Sequence, residues 1–170
     1  DGTVAENIAR FGSVDAKRVV EAAQWAGIHE MVLTLAQAYD TPLIGGGIAL
    51  SAGQQQRIGI ARAIYGRPRV VVLDEPNANL DMAGEVALTA TIQQLQRDGC
   101  TVVVVTHRTK VLQVVQKIAL IIGGKIARYG PRDEVLAAMA KPPSQPPGLA
   151  RSNGSCSREP GMQEPQEVTS

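Results

Sequence analysis

The chain has 170 residues, a formal net charge of +1 and an apolar fraction of 44%, which sets a prior of one globular domain. So balanced a charge offers no footprint for nucleic acid or an anionic membrane surface, and no nucleic-acid partner is expected. No apolar run reaches the roughly 18 residues of a membrane span, and the first residues lack the basic-then-apolar pattern of a signal peptide.

One Phe, one Trp and three Tyr leave the core to Val, Ile, Leu and Ala. Cys100 and Cys156 make neither a metal signature nor a disulfide framework, which fits a reducing compartment. Residues 3–11 read as a short helix, with Thr3 as N-cap and Glu6 completing a capping-box pattern. Gly12-Ser13 breaks it. Asp15 caps a second helix that runs to Ala26 and stops at Gly27. Residues 28–35 read as a further short helix. Residues 39–49, with Pro42 and Gly45-Gly46-Gly47, read as a loop. Residues 51–65 are helical, and Gly66-Arg67-Pro68 ends them.

Val70-Val71-Val72-Leu73 is apolar without alternation, the pattern of a strand buried on both faces of a parallel sheet. Residues 82–98 predict an amphipathic helix with the stripe Leu88, Ile92, Leu95 and the terminator Gly99. Residues 101–105 predict a second buried strand and residues 109–116 a helix. Residues 118–122 and 125–129 flank Gly123-Gly124, a hairpin signal. Residues 133–139 predict the last helix. Strand, helix, strand, helix implies parallel strands with helical crossovers, and the hairpin is expected to add an antiparallel edge. Six of the ten prolines lie from Pro142 onward, where almost nothing is apolar. Residues 141–170 are therefore expected to be a disordered tail.

The chemistry concentrates between Leu50 and His107. An apolar strand closing on Asp74-Glu75-Pro76 puts two carboxylates at the carboxyl edge of the sheet, where open α/β folds bind ligands. Asp74 is expected to hold Mg²⁺, through water, because magnesium keeps much of its hydration shell. Glu75 is expected to orient or deprotonate a water attacking a γ-phosphate. Leu50-Ser51-Ala52-Gly53-Gln54 opens a helix whose N-terminus offers free N–H groups to phosphate, and Gly53 permits close backbone approach. His107, after Val104-Val105-Thr106, can reach a γ-phosphate from the second strand. His29, with no partner in view, reads as structural. Gly124-Lys125 resembles the end of a phosphate loop, but its hairpin context and the absence of a glycine five residues earlier reject it. No Gly-x-x-x-x-Gly-Lys-Ser/Thr loop occurs in the sequence.

Taken in this order, the motifs resemble the C-terminal part of an ATP-binding cassette (ABC) transporter ATPase domain, over about residues 1–140. Leu50 to Gln54 is similar to the ABC signature, with Ala52 in place of its first glycine. Val70 to Asp74 resembles the Walker B strand, with Glu75 at the catalytic glutamate. Ala78-Asn79-Leu80-Asp81 resembles the D-loop, and His107 the switch histidine. Gly2-Thr3-Val4-Ala5-Glu6-Asn7-Ile8, Tyr39-Asp40-Thr41, the run from Arg57 to Gly66 and the run from Asp74 to Asp81 look like the protease and lipase exporters of type I secretion. Gly45 stands where exporters carry an acidic residue, Ile44 where they carry a glycine, and Gln55 where a basic residue is common.

The resemblance implies a P-loop NTPase-like α/β fold, partial and lacking Walker A. A helical signature subdomain would cover about residues 1–66, and a core with Walker B and the switch histidine about 67–140. It implies an ATPase that binds ATP and Mg²⁺ as a head-to-tail dimer. Leu50, Ser51, Ala52, Gly53 and Gln54 would serve the partner copy's nucleotide, Asp81 of the D-loop would also bind nucleotide, and Asp74, Glu75 and His107 would serve the chain's own. It further implies an own or fused transmembrane domain, a periplasmic adaptor, an outer-membrane channel and a secreted polypeptide, at the cytoplasmic face of the bacterial inner membrane. The sequence begins with Asp1 and is read as a piece of a longer polypeptide, inactive without the phosphate loop. Two alternatives stay open: a soluble ABC-type ATPase of DNA repair or ribosomes, and a non-catalytic remnant that only dimerises.

Overall fold

Four helices come first in the computed structural model, which describes residues 2–43 and 50–140. They are α1 (Val4–Ile8), α2 (Ala16–Trp25), α3 (His29–Leu33) and α4 (Ala52–Ile64). Their starts follow from local chemistry. Thr3 accepts from the Glu6 N–H at 3.1 Å while the Glu6 carboxylate accepts from the Thr3 N–H at 2.7 Å, so two orphan donors are satisfied reciprocally. Asp15 accepts from the N–H groups of Lys17 and Arg18. Gly27, at φ +66°, lets the chain leave α2 through the left-handed region.

Then follow β1 (Val70–Asp74), α5 (Met82–Arg97) and β2 (Thr101–Val105). β1 and β2 are parallel, with Val70 opposite Thr101 and Asp74 opposite Val105, and α5 is the crossover between them. The chain continues through a 3-10 segment (Lys110–Val114) into β3 (Lys117–Ile122), β4 (Lys125–Pro131) and α6 (Arg132–Ala140). Gly123 and Gly124, both at positive φ, make the β3–β4 turn, so Gly124-Lys125 is a hairpin as expected.

A continuous core runs through both parts. Val4, Ile8, Val19, Ala23, Ile28 and Val32 from the first three helices meet Ile58, Ala61 and Ile64 of α4. The same cluster takes in Val71 and Leu73 of β1 and Leu88, Ile92 and Leu95 of α5. The stripe predicted on α5 is thus its buried face.

Two expectations need correction. β1 alternates exposed and buried residues, with Val70 59% and Val72 63% exposed, and Val103 and Val105 of β2 lie on the same open side. The apolar run predicts burial on both faces. Helices cover one face, and among the described residues nothing covers the other. Second, the hairpin adds no edge to the parallel pair: β3 and β4 form a separate two-stranded sheet. The 3-10 segment packs against α5 and carries the chain away from the edge of β2. The helix expected over residues 109–116 is that 3-10 segment. The expected tail over 141–170 and the readings of Ile44 and Gly45 lie outside the described residues. No described helix is long and apolar enough to cross a membrane.

Candidate functional site

The residues singled out in the sequence fall into two groups, joined by the segment from Glu75 to Asp81. The first sits at the carboxyl ends of β1 and β2. Parallel pairing in register brings Asp74 level with Val105, so the loops after the two strands begin side by side. The Glu75 N–H donates to the Val105 carbonyl at 2.8 Å. The imidazole Nδ1 of His107 lies 2.8 Å from Glu75 Oε1, and the His107 backbone N–H donates to the same oxygen at 3.2 Å. A carboxylate oxygen can only accept, so Nδ1 carries the proton. Nε2 is then the ring atom left to meet a ligand. Glu75 Oε2 is buried and without a hydrogen-bond partner. That oxygen makes no hydrogen bond within the protein and remains available to accept one. Asp74 is exposed beside it.

Glu75 takes φ +43°, a left-handed conformation that costs a non-glycine residue energy and persists only where its surroundings enforce it. Here they do. Its carbonyl accepts from the Ala78 N–H at 3.1 Å and from Gln56 Nε2 of α4 at 3.2 Å. Pro76, which follows, disfavours the right-handed helical alternative. The turn re-aims the Glu75 side chain towards His107.

The second group surrounds the N-terminus of α4. Ser51 Oγ accepts from the Gln54 N–H at 3.2 Å, and Gln54 Oε1 accepts from the Ser51 N–H at 2.8 Å. That capping box consumes the Gln54 oxygen and leaves the Ser51 hydroxyl proton free to donate. A cleft of about 490 Å³ opens here, lined by Ser51, Ala52, Gly53 and Gln54 together with Ile28, Met31, Arg57, Asn79 and Asp81. Leu50 packs against the core.

Gly53 was read as granting close backbone approach, and the structure shows to what: a Cβ there would lie 2.6 Å from the carbonyl oxygen of Asn79. Asp81 caps α5 by accepting from the Gly84 N–H at 2.8 Å and pairs with Arg57 of α4. The Gly84 N–H first, and the Arg57 charge after it, hold the Asp81 carboxyl below its ordinary value, against the opposing effect of desolvation. Arg57 also donates to the Gly27 carbonyl at 3.1 Å. One guanidinium thus joins the end of α2, α4 and the start of α5.

Sequence reasoning missed Gln56, Arg57 and Asn77. Arg57 lies on α4 within two turns of Ser51, so helical period placed it near the signature, but nothing local named Asp81 as its partner. His29 does have a partner, the Tyr39 hydroxyl 2.8 Å from Nδ1, which keeps it structural. Among the described residues no group of three or more His, Cys, Asp or Glu could hold a metal ion.

A family model described as ABC transporter matches residues 1–78. The chain is 42% identical, over 142 residues, to the type I secretion system ATP-binding protein PrsD of Rhizobium meliloti, a match covering 83% of this chain and 24% of that protein. It is also 42% identical, over 120 residues, to the cyclolysin secretion/processing ATP-binding protein CyaB of Bordetella pertussis, covering 71% of this chain and 17% of the relative. Among solved structures, a bacterial Atm1-family ABC exporter with ATP bound superimposes with a TM-score of 0.73 at 27% identity, over 81% of this chain and 24% of that one. The fold is that of a partial ABC ATPase domain. The chain belongs to the ABC transporter ATPase family and spans about a quarter or less of the length of these relatives.

Proposed function

We propose that this chain supplies the carboxylate–histidine pair and the signature of an ABC exporter that hydrolyses ATP to drive type I secretion of a polypeptide. The observation that carries the reading is the Glu75–His107 contact at 2.8 Å, with Glu75 Oε2 buried and unpaired beside it.

The residues divide the work by what each has free. Glu75 Oε1 is already engaged by His107, so Oε2 is the oxygen that accepts a hydrogen bond from the attacking water and takes its proton. His107 holds that carboxylate in place through Nδ1 and its backbone N–H. Its Nε2 is the ring nitrogen left to meet the γ-phosphate. Asp74, exposed at the end of β1, fits a magnesium ion that takes one or two carboxylates and completes its shell with water and phosphate oxygens. Magnesium, when bound, supplies neutralisation of the charge on the β- and γ-phosphate oxygens.

Neither Glu75 nor His107 lines the cleft at the signature. That separation supports a head-to-tail dimer in which Ser51, Gly53 and the N–H groups of α4 serve the nucleotide of the partner copy, with Asp81 at the junction. Two relatives that are 42% identical bear the names of secretion ATP-binding proteins. Their names support an exporter with its own or a fused transmembrane domain at the inner face of a bacterial inner membrane, working with a periplasmic adaptor and an outer-membrane channel.

The test is Glu75→Gln in the complete polypeptide that carries this chain. The amide keeps the shape and loses the base, so Mg–ATP binding persists while turnover falls by about 10²- to 10⁴-fold. Turnover near the wild-type rate in Glu75→Gln would refute the assignment.

A further inference from the structure

Asn77 follows the carboxylates by two residues and is fully buried, yet no role is attached to it by the chemistry above. Thr106 Oγ1 lies 3.1 Å from Asn77 Oδ1, and the same hydroxyl accepts from the Arg108 N–H at 3.0 Å. A hydroxyl has one proton. Thr106 donates that proton to Asn77 Oδ1 and accepts from the Arg108 N–H through one of its two lone pairs. Asn77 Nδ2 is then a buried donor without a partner.

That arrangement is poor for stability alone. Replacing both members of a buried polar pair by apolar groups of the same shape is commonly neutral or stabilising, whereas an orphan donor is a cost. The pair does something an apolar contact cannot: it sets one direction and one distance between two turns. One is the turn after β1, which carries Glu75 in its strained conformation. The other is the turn after β2, which carries His107. Thr106 and Arg108, the two neighbours of His107, are both bonded to the first turn, because Arg108 also donates to the Ala78 carbonyl at 3.1 Å.

We propose that Asn77 is a positioning residue which, through Thr106, holds the loop of His107 in register with the Glu75 turn and so aligns the pair for turnover. The inference rests on the function proposed above for Glu75 and His107. Asn77 is fully buried and bonded to Thr106. It acts by keeping His107 within hydrogen-bond distance of Glu75 Oε1.

The experiment measures ATP turnover and thermal unfolding in the complete polypeptide, for wild type, Glu75→Gln, Thr106→Val, Thr106→Ser and the double variant Asn77→Leu/Thr106→Val. The double variant is expected to melt at or above the wild-type temperature and to keep its KM for ATP, while kcat falls by about 10- to 100-fold, the scale of a misplacement near 1 Å. Thr106→Val, which leaves Asn77 Oδ1 and the Arg108 N–H unpaired, is expected to melt below wild type and to show the same fall in kcat at unchanged KM. Thr106→Ser, which restores it, is expected to recover most of kcat. Should the double variant not fold, the two Thr106 variants carry the test alone. If Thr106→Val keeps kcat within about twofold of wild type while Glu75→Gln is inactive, the positioning role falls and the functional reading stands. A wild-type polypeptide that binds ATP without turning it over refutes both.

Discussion

Two glycines on one helix separate a steric requirement from a conformational one. Gly53 and Gly59 both lie in α4 at ordinary helical φ. Replacing glycine by alanine inside a helix removes backbone freedom from the unfolded chain and stabilises by up to about 1 kcal/mol. At Gly59 nothing lies within 4 Å of the added methyl, so Gly59→Ala is expected to gain about 0.5–1 kcal/mol and raise Tm by about 2–3 °C. At Gly53 the same methyl would sit 2.6 Å from the Asn79 carbonyl oxygen, against the 3.4 Å at which ordinary contact begins. The loop carrying Asn79 must therefore retreat by roughly 0.8 Å, at the cost of about 1–3 kcal/mol typical of an overpacked site.

That cost exceeds the propensity gain. Gly53→Ala is expected to be less stable than wild type by about 1–2 kcal/mol and to melt about 3–6 °C lower. The assay is thermal unfolding of the two variants side by side without nucleotide, so that phosphate approach contributes nothing. A Gly53→Ala variant that rises in Tm as Gly59→Ala does would show that Asn79 is not held against α4.

Asp81 gives a pH signature. Its carboxyl titrates below the ordinary 3.8 in the fold, chiefly through the Gly84 N–H. Its contribution is therefore complete above 3.8 and is lost as pH falls through the lowered value. Asp81→Ala should accordingly lower Tm at neutral pH, with the gap to wild type closing in acid; a gap independent of pH would contradict the capping argument. In the core, Ile92 is fully buried, and Ile92→Ala is expected to cost about 2–5 kcal/mol in denaturant unfolding. Val86→Ala on the same helix, where Val86 is 66% exposed, should stay within about 0.5 kcal/mol. Equal losses would mean that α5 packs on a different face.

The sequence by itself determined what a few neighbouring residues can decide. Thr3 with Glu6, Asp15, Ser51 with Gln54, and the stops at Gly27 and Gly99 bound their helices because a cap satisfies donors within its own turn. The period of Leu88, Ile92 and Leu95 named the buried face of α5. The run ending in Asp74-Glu75 named a strand edge with two carboxylates.

The tertiary structure decided which loops meet. Nothing local paired Glu75 with His107, Thr106 with Asn77, Arg57 with Asp81 or Gly53 with Asn79, since each contact spans two elements brought together by strand register and helix packing. The apolar runs of β1 and β2 told of strands but not of exposure, and both were read as doubly covered. A valine's preference for extended backbone is intrinsic to its branched side chain, whereas its burial depends on what packs against it. Short-range chemistry writes the elements, and the geometry among them, which makes a site, belongs to the packed whole.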